Sequence, residues 1–112
     1  MAKINVNFIF WKHNKRRATF TVEDVATLDG CEVYWAMSES PGSEALISKS
    51  SETTPAGILT SGKIARVQML EADTATIEPG SYYHELMVID TAGNPITAST
   101  GNVDLREVTI VP

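Results

Sequence analysis

Two histidines, one cysteine and fourteen carboxylates are the groups in this chain that could do chemistry, and their spacing decides what is open to them. Acid–base or nucleophilic catalysis needs a base held within hydrogen-bond reach of the group it serves. His13 sits in the basic run Lys12–His13–Asn14–Lys15–Arg16–Arg17 with no carboxylate adjacent. His84 adjoins Glu85, but successive residues of a strand point to opposite faces, so adjacency gives this pair no common action. Cys31 opens an apolar alternation and reads as a small core residue. As the single cysteine it forbids an internal disulfide and a cysteine-built zinc site. Neither His-x-His nor His-Glu-x-x-His occurs, and the acids form no calcium-loop ladder. Gly57, Gly62 and Gly80 stand too far apart to cradle a phosphate. The expectation is a chain with no catalytic residues, no metal and no cofactor: not an enzyme.

Binding residues are easier to nominate. Trp11 shares a strand face with Ile9, opposite Phe8 and Phe10, and is the aromatic expected to be exposed or covered by a partner. Tyr83, Met87 and Ile89 form a second apolar stripe on a strand whose other face carries Tyr82, Leu86 and Val88. Charge adds a third feature. Residues 1–22 hold Lys3, Lys12, Lys15, Arg16 and Arg17 and no acid, a charge of +5, whereas the rest of the chain carries -10. That split argues against nucleic-acid binding, which wants a broad basic face. It suits a basic turn meeting an acidic surface on another subunit. The expected partner-binding set is therefore Trp11, Lys12, Lys15, Arg16, Arg17, Tyr83, Met87 and Ile89. An alternative is a carbohydrate- or cell-surface-binding module, if Trp11 clusters with Tyr34 or Tyr83.

The elements that must position these residues are strands. At 112 residues, 43% hydrophobic and 21% charged, the chain has the size and composition of one folded domain, residues 1–112. No apolar run approaches the roughly 20 residues of a membrane-spanning helix, and the N-terminus reads without a signal peptide. Period-2 alternation marks strands at Ile4–Phe10, Arg17–Val22, Cys31–Met37, Ala45–Ser50, Lys63–Leu70, Ser81–Asp90 and Val103–Val111, with a brief one at Ile58–Leu59. The last is expected to slip phase near Arg106–Glu107, as a bulge would. Asp29-Gly30, Pro41-Gly42, Pro79-Gly80 and Ala92-Gly93-Asn94-Pro95 supply turns, and Glu71–Thr74 suits a single helical turn. About seven short strands with no helical periodicity predict an immunoglobulin-like antiparallel β-sandwich. Its expected core includes Phe8, Phe20, Val33, Trp35, Val67, Tyr82, Leu86 and Val88.

One wider pattern adds to this. The acidic-threonine turn Glu71–Thr74, the run Pro79-Gly80-Ser81-Tyr82-Tyr83, the strand and hairpin Leu86–Gly93 and the Gly-led segment Gly101–Val111 occur in that order. Together with Arg17–Val22 and Cys31–Met37, they resemble small immunoglobulin-like modules of tailed bacteriophages and prophages, including the N-terminal domain of phage baseplate upper proteins. The likeness covers about residues 17–111. It implies a structural role in a virion, in the tail, baseplate or capsid surface. Synthesis would be in the host bacterial cytoplasm, with other virion proteins or further copies of the chain as partners. It carries over no catalytic residues, no cofactor and no membrane association.

Overall fold

The computed structural model describes residues 4–23, 25–53 and 56–109. Their strands are β1 (Ile4–Asn5), β2 (Phe8–Trp11), β3 (Arg16–Thr21), β4 (Glu32–Ser38), β5 (Ala45–Ser50), β6 (Ile58–Ser61), β7 (Ile64–Met69), β8 (Gly80–Ile89) and β9 (Pro95–Arg106). A four-residue helix, α1 (Glu71–Thr74), lies between β7 and β8. β3, β7 and β8 bury alternate residues, as does β4 as far as Met37, so both sheets are apolar on one face and must close on another layer. The result is a two-sheet sandwich. A six-stranded sheet has the order β1-β9-β8-β4-β5, with β2 also on β9, and a three-stranded sheet has the order β3-β7-β6. This is the strand arrangement of an immunoglobulin-like fold. Its pairings are antiparallel except at the N-terminus, where β1 and β2 run parallel to β9.

Between the sheets lie Phe10, Phe20, Val33, Trp35, Met37, Val67, Leu86 and Val88, all buried. Two features of β8 order this core. The Tyr82 hydroxyl donates to the Glu78 carbonyl four residues upstream, tying the β7–β8 corner. Immunoglobulin domains use a tyrosine in this way two residues before the β-strand cysteine of their inter-sheet disulfide. Here the residue two positions on is His84, which is fully buried. Its ring meets Phe20 of the facing sheet at 5.8 Å between centroids, and Trp35 beside it at 6.0 Å. An aromatic contact thus stands where such domains place a cystine, which suits a chain with one cysteine.

Both His84 nitrogens are engaged. Trp35 Nε1–H donates to Nδ1 at 3.2 Å, and Nε2 lies 2.6 Å from the Val6 carbonyl oxygen. A carbonyl only accepts, so Nε2 carries the proton and the ring is the neutral Nε2–H tautomer. The contact passes over Gly101, which pairs with His84 across the β8–β9 ladder. A Cβ at Gly101 would sit 2.6 Å from the Val6 carbonyl carbon and 3.0 Å from His84 Nε2. Only glycine leaves that passage open. Because the Val6 carbonyl turns toward His84, the Asn102 N–H is taken by the Asn7 side-chain oxygen at 2.9 Å. This detour divides the N-terminal strand into β1 and β2, where sequence alternation predicts one strand over Ile4–Phe10.

Other differences have equally local causes. The last strand runs from Pro95 to Arg106, not from Val103 to Val111. Its N-terminal half was hidden by the bulge at Ala98, the extra residue between Leu86↔Ser99 and Met87↔Thr97. Ala98 and Ser99 are buried consecutively there, which breaks the period-2 pattern. The phase slip at Arg106–Glu107 is the end of the strand, and residues 110–112 lie outside the described residues. Phe8 and Tyr82 are half-buried where a full core position is expected. Phe8 stacks on Phe10 and meets Phe20 edge-to-face but is covered on its outer side by Arg16, and Tyr82 spends its hydroxyl at the corner. Ile58–Ser61 is a full edge strand, and the helical turn falls at Glu71–Thr74 as expected. Its Asp73 side chain accepts the Leu70 N–H at 2.7 Å, closing the helix start.

Trp35→Ala should lower unfolding stability by about 3–5 kcal/mol, since it removes a buried ring and orphans His84 Nδ1. Urea melts measure this, and a loss below about 1 kcal/mol would contradict the core assignment.

Candidate functional site

The residues nominated for binding fall on two separate surfaces. Ile9 and Trp11 of β2 are 42% and 44% exposed, while Phe10 between them is buried. They therefore share the outer face of the large sheet, at its N-terminal edge. Tyr83, Met87 and Ile89 occupy the same outer face on β8 and are half-buried. Met87 lies opposite Tyr34, and Tyr83 opposite Asn102, so flanking strands cover part of each side chain. Burial comes first in raising the Tyr83 hydroxyl above its ordinary value of 10.0. Trp11 and Tyr34 are separated by β9 and β8, and the Arg106 guanidinium lies 5.8 Å from the Trp11 ring centroid. Among the described residues, Trp11 makes no ring contact with Tyr34 or Tyr83.

The basic residues surround the β2–β3 turn, where His13 adopts a positive φ of 67°. The turn is anchored from below: the His13 N–H donates to Thr74 Oγ1 of α1 at 2.9 Å. That contact brings α1, with Glu71 and Asp73, against the turn. Lys12 lies 4.0 Å from Glu107. Arg16 donates to the Ile9 carbonyl at 2.9 Å and stacks over Phe8 and Phe10 at 5.7 and 5.3 Å, sealing the edge of β2. Among the described residues Lys15, Arg16 and Arg17 make no ion pair, and of these Lys15 and Arg17 also lack the ring contacts that hold Arg16. Folding has thus brought Glu107 beside Lys12 and laid Arg16 on its own aromatic rings, so the charge split read along the chain overstates what a partner would meet.

A third surface was not foreseen. Where β5 and β6 form the open side of the sandwich, a groove of about 680 Å³ runs between the sheets. Tyr34, Lys49, Leu59, Gln68 and Leu70 line it. Leu59 and Leu70 are 47% and 51% exposed. Lys49, two residues beyond buried Ile47, reaches under the groove to Asp73 Oδ2 at 2.7 Å. This ion pair ties the edge of the large sheet to α1, beside the smaller sheet. An inward-turned lysine also makes β5 a poor template for strand addition. The alternation in β6 and β7 contains the signal for Leu59 and Leu70, but nothing in the sequence pairs Lys49 with Asp73, because that contact exists only once the sheets are stacked.

No three His, Cys, Asp or Glu side chains converge to hold a metal among the described residues. His84, the one buried titratable ring there, faces aromatic rings and a backbone carbonyl and has no carboxylate partner. Glu85 points to the opposite face, as strand geometry requires. Burial lowers the His84 pKa from its ordinary 6.5, against a smaller upward pull from the Val6 carbonyl. Asp90 serves structure as well. Its carboxylate accepts the Asn94 and Ala92 N–H groups, each at 2.9 Å, shaping the β8–β9 hairpin. The Asn94 bond, assisted by that from Ala92, holds the carboxyl below its ordinary value.

No protein-family model and no curated protein matches the chain. Among solved structures it is similar to the crystal structure of "a putative glycoside hydrolase from Bacteroides vulgatus ATCC 8482". The sequence identity is 11% and the TM-score 0.44. The match covers 92% of this chain and 17% of that protein's chain.

The geometry separates two neighbouring cations. Lys15→Glu should change stability by no more than about 0.5 kcal/mol, as exposed substitutions do. Arg16→Glu should cost about 1–2 kcal/mol, because it removes the bond to Ile9 and the stacking on Phe8 and Phe10. Equal effects in urea melts would contradict the placement of Arg16.

Proposed function

We propose that this chain is a non-enzymatic structural module of a tailed-phage or prophage virion, acting by docking to other virion proteins or to further copies of itself. The observation that carries the docking part is the paired exposure of Ile9 and Trp11 on one edge strand, a small apolar knob with Arg106 stacked beside the indole. Tryptophan and arginine are the residues that most often anchor protein interfaces. The virion part rests on the resemblance of residues 17–111 to phage modules. A sandwich cross-braced by aromatic rings in place of a disulfide is also suited to folding in a reducing bacterial cytoplasm before assembly. The Trp11 knob, with Tyr83, Met87 and Ile89 further along the same face, is the proposed contact surface. Lys15 and Arg17 tune approach more than affinity, since exposed ion pairs contribute about 0–1 kcal/mol each. The carbohydrate-binding alternative is disfavoured by the distance in strand order between Trp11 and Tyr34.

Mass spectrometry of density-purified particles from the bacterium carrying the gene tests this reading. The chain should be present at a stoichiometry comparable with the known tail or capsid proteins, and Trp11→Asp should abolish its incorporation while leaving it folded. Absence of the chain from particles would contradict the proposal.

A further inference from the structure

The buried imidazole does more than fill space, because it joins the body of the sandwich to its N-terminal edge. Val6 lies between β1 and β2, and its carbonyl meets the buried His84 ring of β8 at 2.6 Å. β1 itself is two residues long and pairs on one side only, with Ser99 and Thr100 of β9. The Val6 N–H adds one bond to the Thr100 carbonyl at 2.8 Å, and Asn7 Oδ1 takes the Asn102 N–H. Besides the packing of the half-buried Val6 side chain on the core, few hydrogen bonds therefore hold this edge, and the bond to the His84 ring is the one that reaches into the core.

We propose that His84 is a proton-operated latch on the N-terminal strand: a proton taken up at Nδ1 frees β1, Val6 and Asn7 from β9 while the remaining strands stay folded. The neutral ring satisfies both neighbours, accepting from Trp35 and donating to Val6. A proton on Nδ1 points a second N–H at the Trp35 N–H, so one donor loses its acceptor. It also creates a charge among Phe8, Phe20 and Trp35, whose rings lie 5.2, 5.8 and 6.0 Å away. Among the described residues, no carboxylate from the packed elements is found against the ring to compensate that charge. β3 and β4 present Phe20 and Trp35, β9 presents Gly101, and the N-terminal segment presents the Val6 carbonyl. Arg16, stacked on the Phe8 ring that touches His84, carries a charge of the same sign. Glu85 is on the outer face. Water reaches the ring most cheaply if the N-terminal segment lifts, because that costs a few edge bonds and leaves both sheets paired.

The direction with pH follows. Burial places the folded-state pKa of His84 below 6.5, so the latch contributes its full stability above about 6.5. That contribution falls as pH drops toward the folded-state value, and below it this group removes nothing more. Release uncovers the β9 edge from Ser99 to Asn102, a row of backbone groups able to accept another strand.

Amide hydrogen exchange on the unsubstituted protein, corrected for intrinsic exchange rates, tests the latch. Between about pH 7.5 and about pH 5, protection at Val6 and Asn102 should fall roughly tenfold or more, while amides of β3 and β7 hold theirs. His84→Gln, which cannot titrate, should show no such change. Constant protection at Val6 and Asn102, a parallel loss across β3 and β7, or the same pH dependence in His84→Gln would each overturn the proposal. If that variant fails to fold, the comparison of edge and β3–β7 amides within the unsubstituted protein decides alone.

Discussion

The Val6 carbonyl, the Gly101 passage and the His84 ring form one crossing through the large sheet, and much of the fold's detail follows from it. For the imidazole to reach the carbonyl, β9 must carry a residue with no side chain at that level, and a Cβ there would sit 2.6 Å from the Val6 carbonyl carbon. For the carbonyl to face the ring, it must leave the ladder, so the N-terminal strand breaks into two pieces and Asn7 substitutes its side chain for the lost acceptor. For the other nitrogen to be satisfied, Trp35 must turn its N–H inward to 3.2 Å. An unsatisfied buried polar group costs about 1–3 kcal/mol, so these requirements stand or fall together. They also explain how a sandwich with one cysteine is braced. Phe20, Trp35 and His84 meet between the two sheets, and the tyrosine at the β7–β8 corner fixes the start of the strand that carries the histidine.

Much of the architecture could be read directly from alternation. The strands around Val33, Trp35 and Met37 and around Ala65, Val67 and Met69 bury every second residue, and period 2 locates them without knowledge of their partners. Local turn chemistry places the Asp29-Gly30 and Ala92-Gly93-Asn94 breaks and the helical turn at Glu71–Thr74. What resisted reading was tertiary. Ala98 and Ser99 are buried in succession because of a bulge imposed by β8, so the first half of β9 had no alternation to find. His84 interrupts an apolar stripe, and a histidine at such a place reads as neither core nor site until Val6 and Trp35 are set beside it. Gly101 was the available clue, since a glycine inside a strand marks close backbone approach.

The candidate surface was legible in part. Exposure of Trp11 follows from its phase against Phe8 and Phe10, and that expectation agrees with the structure. The basic turn shows the limit of linear charge counting. Lys12 approaches Glu107, Arg16 lies on its own aromatic residues, and the His13 N–H is held by Thr74 of the acidic helical turn. Charges remote in sequence meet at one end of the sandwich, so a +5 segment does not become a +5 surface. The proposed docking function accordingly rests more on the apolar knob of Ile9 and Trp11 than on electrostatics. That knob sits on β2, directly beyond the segment the histidine holds, which links the buried crossing to the surface through five residues of chain.

Long-range proton–nitrogen correlation spectra of the His84 ring at neutral pH test this account most directly. It predicts a neutral imidazole protonated at Nε2, with slow solvent exchange and a hydrogen-bonded Trp35 indole N–H. A ring protonated at Nδ1, or one averaging between tautomers in contact with water, would contradict it.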